Sequence, residues 1–306
     1  MATKTFSDIG VLGLYAETSL HCGAEGGTGY VDLPVQRERH TMYPVIPGST
    51  LKGVLSDELR GNLEDVDHLA IFGRYHEPAT EGAVASTSPG SVSFGDGILI
   101  AFPVRSSQAP FHWVTCPFVL ERTFRALDAN VQAPADPGPS QAWAREGGTV
   151  LLEELRLECA PLPAFFDGEN GGLSRLLGLF PGETRGLAYT RGLFPSRLLI
   201  VSNQNFKHLV ETGTEVLTRI KLNALGTTTN LEGDQYKHLS SWDRQGNLFV
   251  EEVVPPETLF LAALRGEASR QKQLRDALVK RPVIRLGGDE TIGRGVTHLT
   301  FVAREA

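Results

Sequence analysis

The sequence predicts an α+β fold with a ferredoxin-like core, and three observations predict it. Residues 9–15 form a short apolar run with the length of a buried strand, and a helix-spaced apolar pattern follows them across a polar loop. A second strand and helix, at Thr258–Leu264 and Gln271–Lys280, repeat that pairing near the other end of the sequence. A last apolar segment, His298–Val302, supplies a closing strand. Strand, helix, insertions, strand, helix and closing strand, in that order, suit a ferredoxin-like α+β core.

Each element has a local reason. After the first strand, Cys22 to Tyr30 is rich in Gly and polar residues and reads as a loop. Pro47-Gly48 makes a turn, Ser49 is a candidate N-cap, and Leu51, Val54, Leu55 and Leu59 fall on one helical face. Residues 76–92 and 128–149 are rich in Pro, Gly, Ala and Ser and read as insertion loops; residues 97–104 and 111–120 between them read as strands. Val216–Leu222 and Leu248–Glu252 are strand-like and enclose a long polar stretch from Asn223 to Asn247, which together predict a projecting hairpin over 216–252 with an enlarged tip. Gly287-Gly-Asp-Glu-Thr-Ile-Gly-Arg-Gly is a second glycine-rich loop. No internal repeat is visible, and the 306 residues are treated as a single elaborated domain.

Composition narrows the classes. At 41% hydrophobic and 21% charged residues the chain has ample material for a core and is not globally disordered. It carries no apolar run of about 18 residues, the length a membrane span needs. No basic-then-apolar leader pattern is present, and Cys22, Cys116 and Cys159 form no CxxC pair, so the expected setting is reducing and cytoplasmic, with no membrane partner. The net charge of −7 conceals a basic stretch: from Arg265 to Arg294 there are eight Lys or Arg against four Asp or Glu. Phosphate binding needs such a local track rather than a basic protein, although a solvated helix face would look the same.

The run Val31-Asp-Leu-Pro-Val-Gln-Arg-Glu-Arg-His-Thr, continuing to Ile46-Pro-Gly-Ser-Thr-Leu-Lys-Gly, resembles the backbone subunits of type III-B CRISPR (Cmr) complexes, RAMP proteins of the Cas-seven superfamily. Three more blocks agree, in family order: Ala101-Phe-Pro-Val-Arg-Ser with Trp113-Val-Thr-Cys-Pro-Phe-Val-Leu-Glu-Arg, Gly246 to Phe260, and Leu286 to Gly295. The resemblance implies an RRM-like core carrying a thumb hairpin and copies of the chain stacked along a guide crRNA beside other Cmr-type subunits. It also implies an endoribonuclease that cuts the paired target RNA once per subunit. The sequence departs from the family pattern in the thumb, where the stretch from Asn223 to Gln245 is longer and Gln245 stands in place of an acid.

On that resemblance Asp32 is the cleavage residue. By itself an Asp before a Pro-containing turn is a loop former. A carboxylate is a weak base at neutral pH but a good oxygen ligand for Mg²⁺ or Mn²⁺, which would stabilise charge on the scissile phosphate during attack by the adjacent 2′-OH. His21 across the loop is a candidate acid for the leaving oxygen, or a structural hydrogen-bonding residue. Lys52 near a helix N-terminus, with Arg37, Arg39, Gly287, Gly288, Gly293 and Arg294, is expected on the guide backbone; tight turns and surface ion pairs are the alternative for these residues. Leu225 and Leu231 are candidate wedges at the thumb tip that would force the target into the in-line geometry an A-form stack lacks. Glu251 and Glu252 stand at the thumb's base, as metal helpers or as a solvated strand end. Three other readings stay open: a backbone subunit that binds without cutting, the equivalent type III-A subunit, and a nucleotide-binding enzyme. The last lacks both a Gly-Lys-Ser/Thr phosphate loop and a strand–GxGxxG–helix pattern.

Overall fold

The computed structural model describes residues 7–24, 29–76, 86–182 and 186–303. Strand β1 (Ser7–Ala16) is buried on both faces through Val11, Leu12, Leu14 and Tyr15, which explains its unbroken apolar run. The short β2 (Val45–Ile46) leads into α1 (Gly48–Glu58), where Leu51 and Leu55 are buried at i, i+4 spacing. Pro47, not Ser49, holds the N-cap position, and no side chain caps the helix. The Gly48 N–H instead donates to Asp96 Oδ1 at 2.7 Å, so the helix start is fixed to the neighbouring sheet. Then come α2 (Asp65–Phe72), the hairpin β3 (Gly73–His76) and β4 (Ser86–Pro89), and the long β5 (Val92–Arg105). The insertion expected over 76–92 thus has paired strands at its flanks; its residues 77–85 lie outside those described.

The middle of the chain differs most from expectation. Residues 111–120 are not one strand: β6 (Phe111–Thr115) ends before α3 (Pro117–Ala126), because Pro117 stands in the first helical turn, where its missing N–H costs nothing. Residues 141–144, expected to be loop, are strand β7 (Gln141–Ala144), followed by β8 (Gly148–Leu152) and β9 (Leu155–Pro161). Helices α4 (Ala164–Asp167), α5 (Gly172–Leu177) and α6 (Ala188–Arg197), strand β10 (Leu198–Val201) and helix α7 (Asn203–Thr212) complete this half.

The next pair, β11 (Glu215–Lys221) and β12 (Asn247–Val253), forms a separate two-stranded sheet, with the short helix α8 (Ser241–Arg244) in its tip. Finally β13 (Leu259–Gly266), α9 (Ala268–Lys280), β14 (Val283–Arg285) and β15 (Val296–Ala303) return to the main sheet. That sheet runs β14-β15-β1-β13-β5-β6-β10-β7-β9-β8, mixed in direction, with β2 added beside β5. Helix α1 lies between β1 and β5 in the chain and α9 between β13 and β15, while β1 pairs antiparallel with both β13 and β15. At the far end the sheet curls back: Ser106 bridges Leu152, and the Glu153 N–H reaches the Arg105 carbonyl at 3.2 Å. The basic excess seen near the C-terminal end is partly spent on packing, since Arg270 holds Asp67 of α2 at 2.9 Å and Arg281 holds Glu58 of α1 at 2.6 Å.

Candidate RNA-cleaving site at the root of the hairpin

The chain after the first loop lies along β12 as an added strand. The Asp32 and Leu33 N–H groups both donate to the Val250 carbonyl, at 3.0 and 3.1 Å, and the Glu252 N–H donates to the Leu33 carbonyl at 2.9 Å. The Asp32 side chain closes the clamp: its Oδ2 accepts from the Val250 N–H at 2.8 Å. Its Oδ1 has no hydrogen-bond partner among the described residues, and the residue is exposed. One carboxylate oxygen is therefore fixed and the other is presented to solvent at the hairpin's root.

Behind this carboxylate is a buried polar cluster. His21, just past β1, places Nδ1 2.8 Å from the Glu252 carbonyl. A carbonyl only accepts, so Nδ1 carries the proton. The His21 carbonyl in turn accepts from the Gly288 N–H at 2.8 Å. Gly287 is in the left-handed region (φ 85°), and a Cβ there would stand 2.2 Å from the His21 carbonyl oxygen. The glycine loop is thus seated directly on His21, and Gly287 has an internal reason to lack a side chain. Gly288 has ordinary spacing to the His21 ring, and Gly293 (φ 87°) turns in open space.

Glu251, only 1% exposed, anchors the cluster. Its Oε2 accepts from Arg219 Nη1 at 3.1 Å and from Arg294 Nη1, while its buried Oε1 has no hydrogen bond and stands 3.6 Å from His21 Nδ1. Asp289 accepts from the same two guanidinium groups. Burial pushes the Asp289 carboxyl up, but the guanidinium groups of Arg219 and Arg294 outweigh burial and hold it below the usual range. Glu252 points the other way. It accepts from the Val35 N–H at 3.0 Å, Thr214 Oγ1 at 2.7 Å and Arg37 Nη2 at 2.5 Å. Burial opposes its ionisation, yet those three donors bring its pKa below the ordinary carboxylate value. The two glutamates are therefore structural acids at the root, not a solvated strand end.

The cations expected on RNA separate into two kinds. Arg37 and Arg294 are committed to Glu252 and to the Glu251–Asp289 pair. Arg39 is exposed and Lys52 half-buried on α1, and neither has an ion-pair partner among the described residues. The tip is a folded knob. The Asn223 side chain, buried, donates to Thr227 Oγ1 and the Thr229 carbonyl and accepts from the Leu225 and Thr227 N–H groups. Leu225 is 59% exposed on it, whereas Leu231 is half-buried with its N–H on the Arg244 carbonyl. Sequence reasoning missed Arg219 and Asp289. The alternation along β11 could have found Arg219, since it faces the same side as Leu217 and Lys221.

Among the described residues no group of three or more His, Cys, Asp or Glu is arranged to hold a metal. Asp32 offers one ionised oxygen, which suits a hydrated Mg²⁺ that also takes substrate phosphate, but not a cage built by the protein alone.

The RAMP superfamily model matches residues 14–298. A Pyrococcus furiosus protein named CRISPR system Cmr endoribonuclease Cmr4 is 32% identical over 308 residues, which cover 95% of each chain. The chain belongs to the Cmr4 family of the RAMP superfamily. The crystal structure of oligomeric Cmr4 from Pyrococcus furiosus superposes with a TM-score of 0.65 at 25% identity, covering 98% of this chain and 99% of that one. A subunit of the type III-B Cmr-beta complex bound to cognate target RNA, solved by cryo-electron microscopy, shares the fold, with a TM-score of 0.66 at 19% identity over 97% and 98% of the two chains. The mixed α+β fold, with its large sheet and separate hairpin sheet, is the Cmr4 fold.

Proposed function

We propose that this Cmr4-family chain is the repeated backbone subunit of a type III-B CRISPR ribonucleoprotein, acting in the cytoplasm, and that it cuts the target RNA paired to its guide crRNA. The order β15-β1-β13-β5, with α1 and α9 as the crossovers, supports assigning a ferredoxin-like, RRM-like core to a single domain from which the β11–β12 thumb projects. Copies of the chain and other Cmr-type subunits are its protein partners on this reading.

The observation that carries the proposal is the Asp32 carboxylate, pinned through Oδ2 to the thumb's root and open at Oδ1. Fixing one oxygen orients the other without covering it, which is what a group that must act on one phosphate of a long strand needs. A divalent ion bound through Asp32, water and the phosphate would supply charge stabilisation at the scissile group. His21 keeps its Nδ1 proton on the Glu252 carbonyl. A side chain at position 23 would close on Nε2 at 2.8 Å, and Gly23 supplies none, so Nε2 is the nitrogen left open; it would protonate the leaving oxygen when the ring carries a second proton, as the imidazolium. The guide backbone would run past Lys52 and Arg39 and over the Gly287–Arg294 loop, contacts that carry no sequence information. Arg37 and Arg294 then contribute by shaping the root as much as by charge.

The test is Asp32→Asn in the assembled, guide-loaded complex. Asparagine's carbonyl oxygen can still accept from the Val250 N–H, so folding and target binding persist, while the ionised oxygen is lost. Target cleavage with Mg²⁺ is expected to disappear. Cutting at the wild-type rate would remove Asp32 from the reaction.

A further inference from the structure

The hairpin has two unlike faces. The register pairs Val216 with Glu252, Thr218 with Val250 and Ile220 with Leu248, so Val216, Ile220, Leu222 and Leu248 fall on one side, each 53–59% exposed. The other side carries Arg219, Lys221 and Phe249, and here cations and aromatic rings alternate. The Arg219 guanidinium lies over the Phe249 ring, 5.4 Å from its centre, and the Lys221 ammonium lies over the Trp242 ring at 3.3 Å. Arg219 reaches the Glu251–Asp289 cluster at the root, and Trp242 stands on α8 in the knob, so the two pairs form one line from root to tip.

We propose that this face is a stacking track for unpaired nucleobases of RNA, with Trp242 as its outer platform. The inference rests on the reading of the chain as an RNA-cleaving subunit and names where the displaced part of the target goes. Trp242 is 70% exposed on a projecting knob, so the core does not account for it. Lys221 covers one face of the indole and leaves the other for a base. Neither Lys221 nor Trp242 has a carboxylate partner among the described residues, so the positive charge beside the ring is available to the neighbouring phosphate. The ordered tip makes the platform rigid: Ser240 caps α8 by accepting from the Asp243 N–H at 3.0 Å, and the Ala224 N–H donates to the Asp243 carbonyl at 2.7 Å. An aliphatic protein partner would find its match on the opposite face, where no ring or cation interrupts the Val216–Ile220–Leu222–Leu248 patch.

Trp242 can be read directly, because Trp113 is fully buried and Trp143 half-buried. Indole emission of the purified full-length protein is followed while a single-stranded RNA oligonucleotide is added. A second titration uses the same sugar–phosphate backbone with abasic sites. Expected are quenching by the RNA but not by the abasic strand, and a loss of RNA affinity of roughly 5- to 150-fold in Trp242→Ala. Trp242→Phe should bind within a few-fold of wild type while losing the optical signal. Equal affinity in Trp242→Ala, or equal quenching by the abasic strand, would overturn the track. So would emission that follows protein concentration instead of RNA, which would give this face to a second protein copy. Quenching by RNA in a protein whose assembled complex leaves the target uncut would uphold stacking while refuting the cleavage reading.

Discussion

Replacing Arg37 with alanine removes the strongest of three donors on a buried carboxylate. Glu252 is 8% exposed and faces Arg37 Nη2 at 2.5 Å, with Thr214 and the Val35 N–H completing its shell. Removing one partner of a buried pair costs about 3–5 kcal/mol when the other charge is stranded. Here two hydrogen bonds remain and the pair keeps slight solvent access, so about 2–3 kcal/mol is the expected loss at pH 7, which for a chain of 306 residues is a fall in melting temperature of roughly 3–5 °C. The pH dependence gives a second reading of the same interaction. The folded-state pKa of Glu252 lies below its unfolded value, so its ionisation stabilises the fold above the unfolded pKa, and that contribution is lost as pH falls through the folded pKa. In Arg37→Ala the folded value moves back up towards the unfolded one, so the acid-side loss is smaller and is complete at a higher pH. Thermal melts of wild type, Arg37→Ala, Glu252→Gln and the double variant at pH 7 and pH 3 form a complete cycle. Additive losses at pH 7, or a pH profile unchanged by Arg37→Ala, would refute the coupling that seats Asp32's segment on the thumb.

Gly287→Ala should destabilise by about 2–4 kcal/mol, because it combines a left-handed backbone with a Cβ 2.2 Å from the His21 carbonyl oxygen; urea unfolding measures it. Lys52→Ala should leave the melt unchanged and lower the salt slope of guide binding by up to about one counterion, whereas Arg294→Ala should lower the melt because Glu251 and Asp289 lose a countercharge. EDTA should stop cleavage without shifting the melting temperature, since the described residues build no metal cage; a melt that falls with EDTA would contradict this. Deleting residues 223–244 removes only the knob, so far-ultraviolet dichroism of the core should persist while target cutting falls sharply.

The outer frame of the fold was legible because its elements have strong local signals. β1 is an apolar run, α1 shows i, i+4 leucines, and the strands of the thumb emerge within a residue or two of their expected ends. The middle was less so: Pro117 is a local signal for the start of α3, whereas β7 depends on partners far away in sequence. Gln141–Ala144 is strand only because β10 and β9 flank it, and its Pro- and Gly-rich neighbours hide that. At the site, Asp32 stood out through the resemblance alone; its contact with β12, through the Val250 N–H, joins residues 218 positions apart and leaves no local pattern. The Arg219–Asp289 ion pair was invisible, since residues 70 positions apart leave no local pattern, although the alternation along β11 marks the face on which Arg219 lies. The same holds for Arg294, which the sequence offers as a free cation and the fold binds to Glu251.

The two ends of the large sheet are both blunt. On one side the sheet curls until Ser106 bridges Leu152 and Gln108 occupies the Leu151 N–H; on the other, the last strand is the three-residue β14. Open strand edges recruit further strands without regard to register or partner, and crowded copies of one chain are the condition under which that happens most readily. A chain so finished can be concentrated against its own kind without seeding cross-β aggregates. An ordered array built through the large sheet would then be held by side-chain surfaces, whose geometry fixes the repeat distance, and not by pairing at that sheet's edges, which would let copies slip.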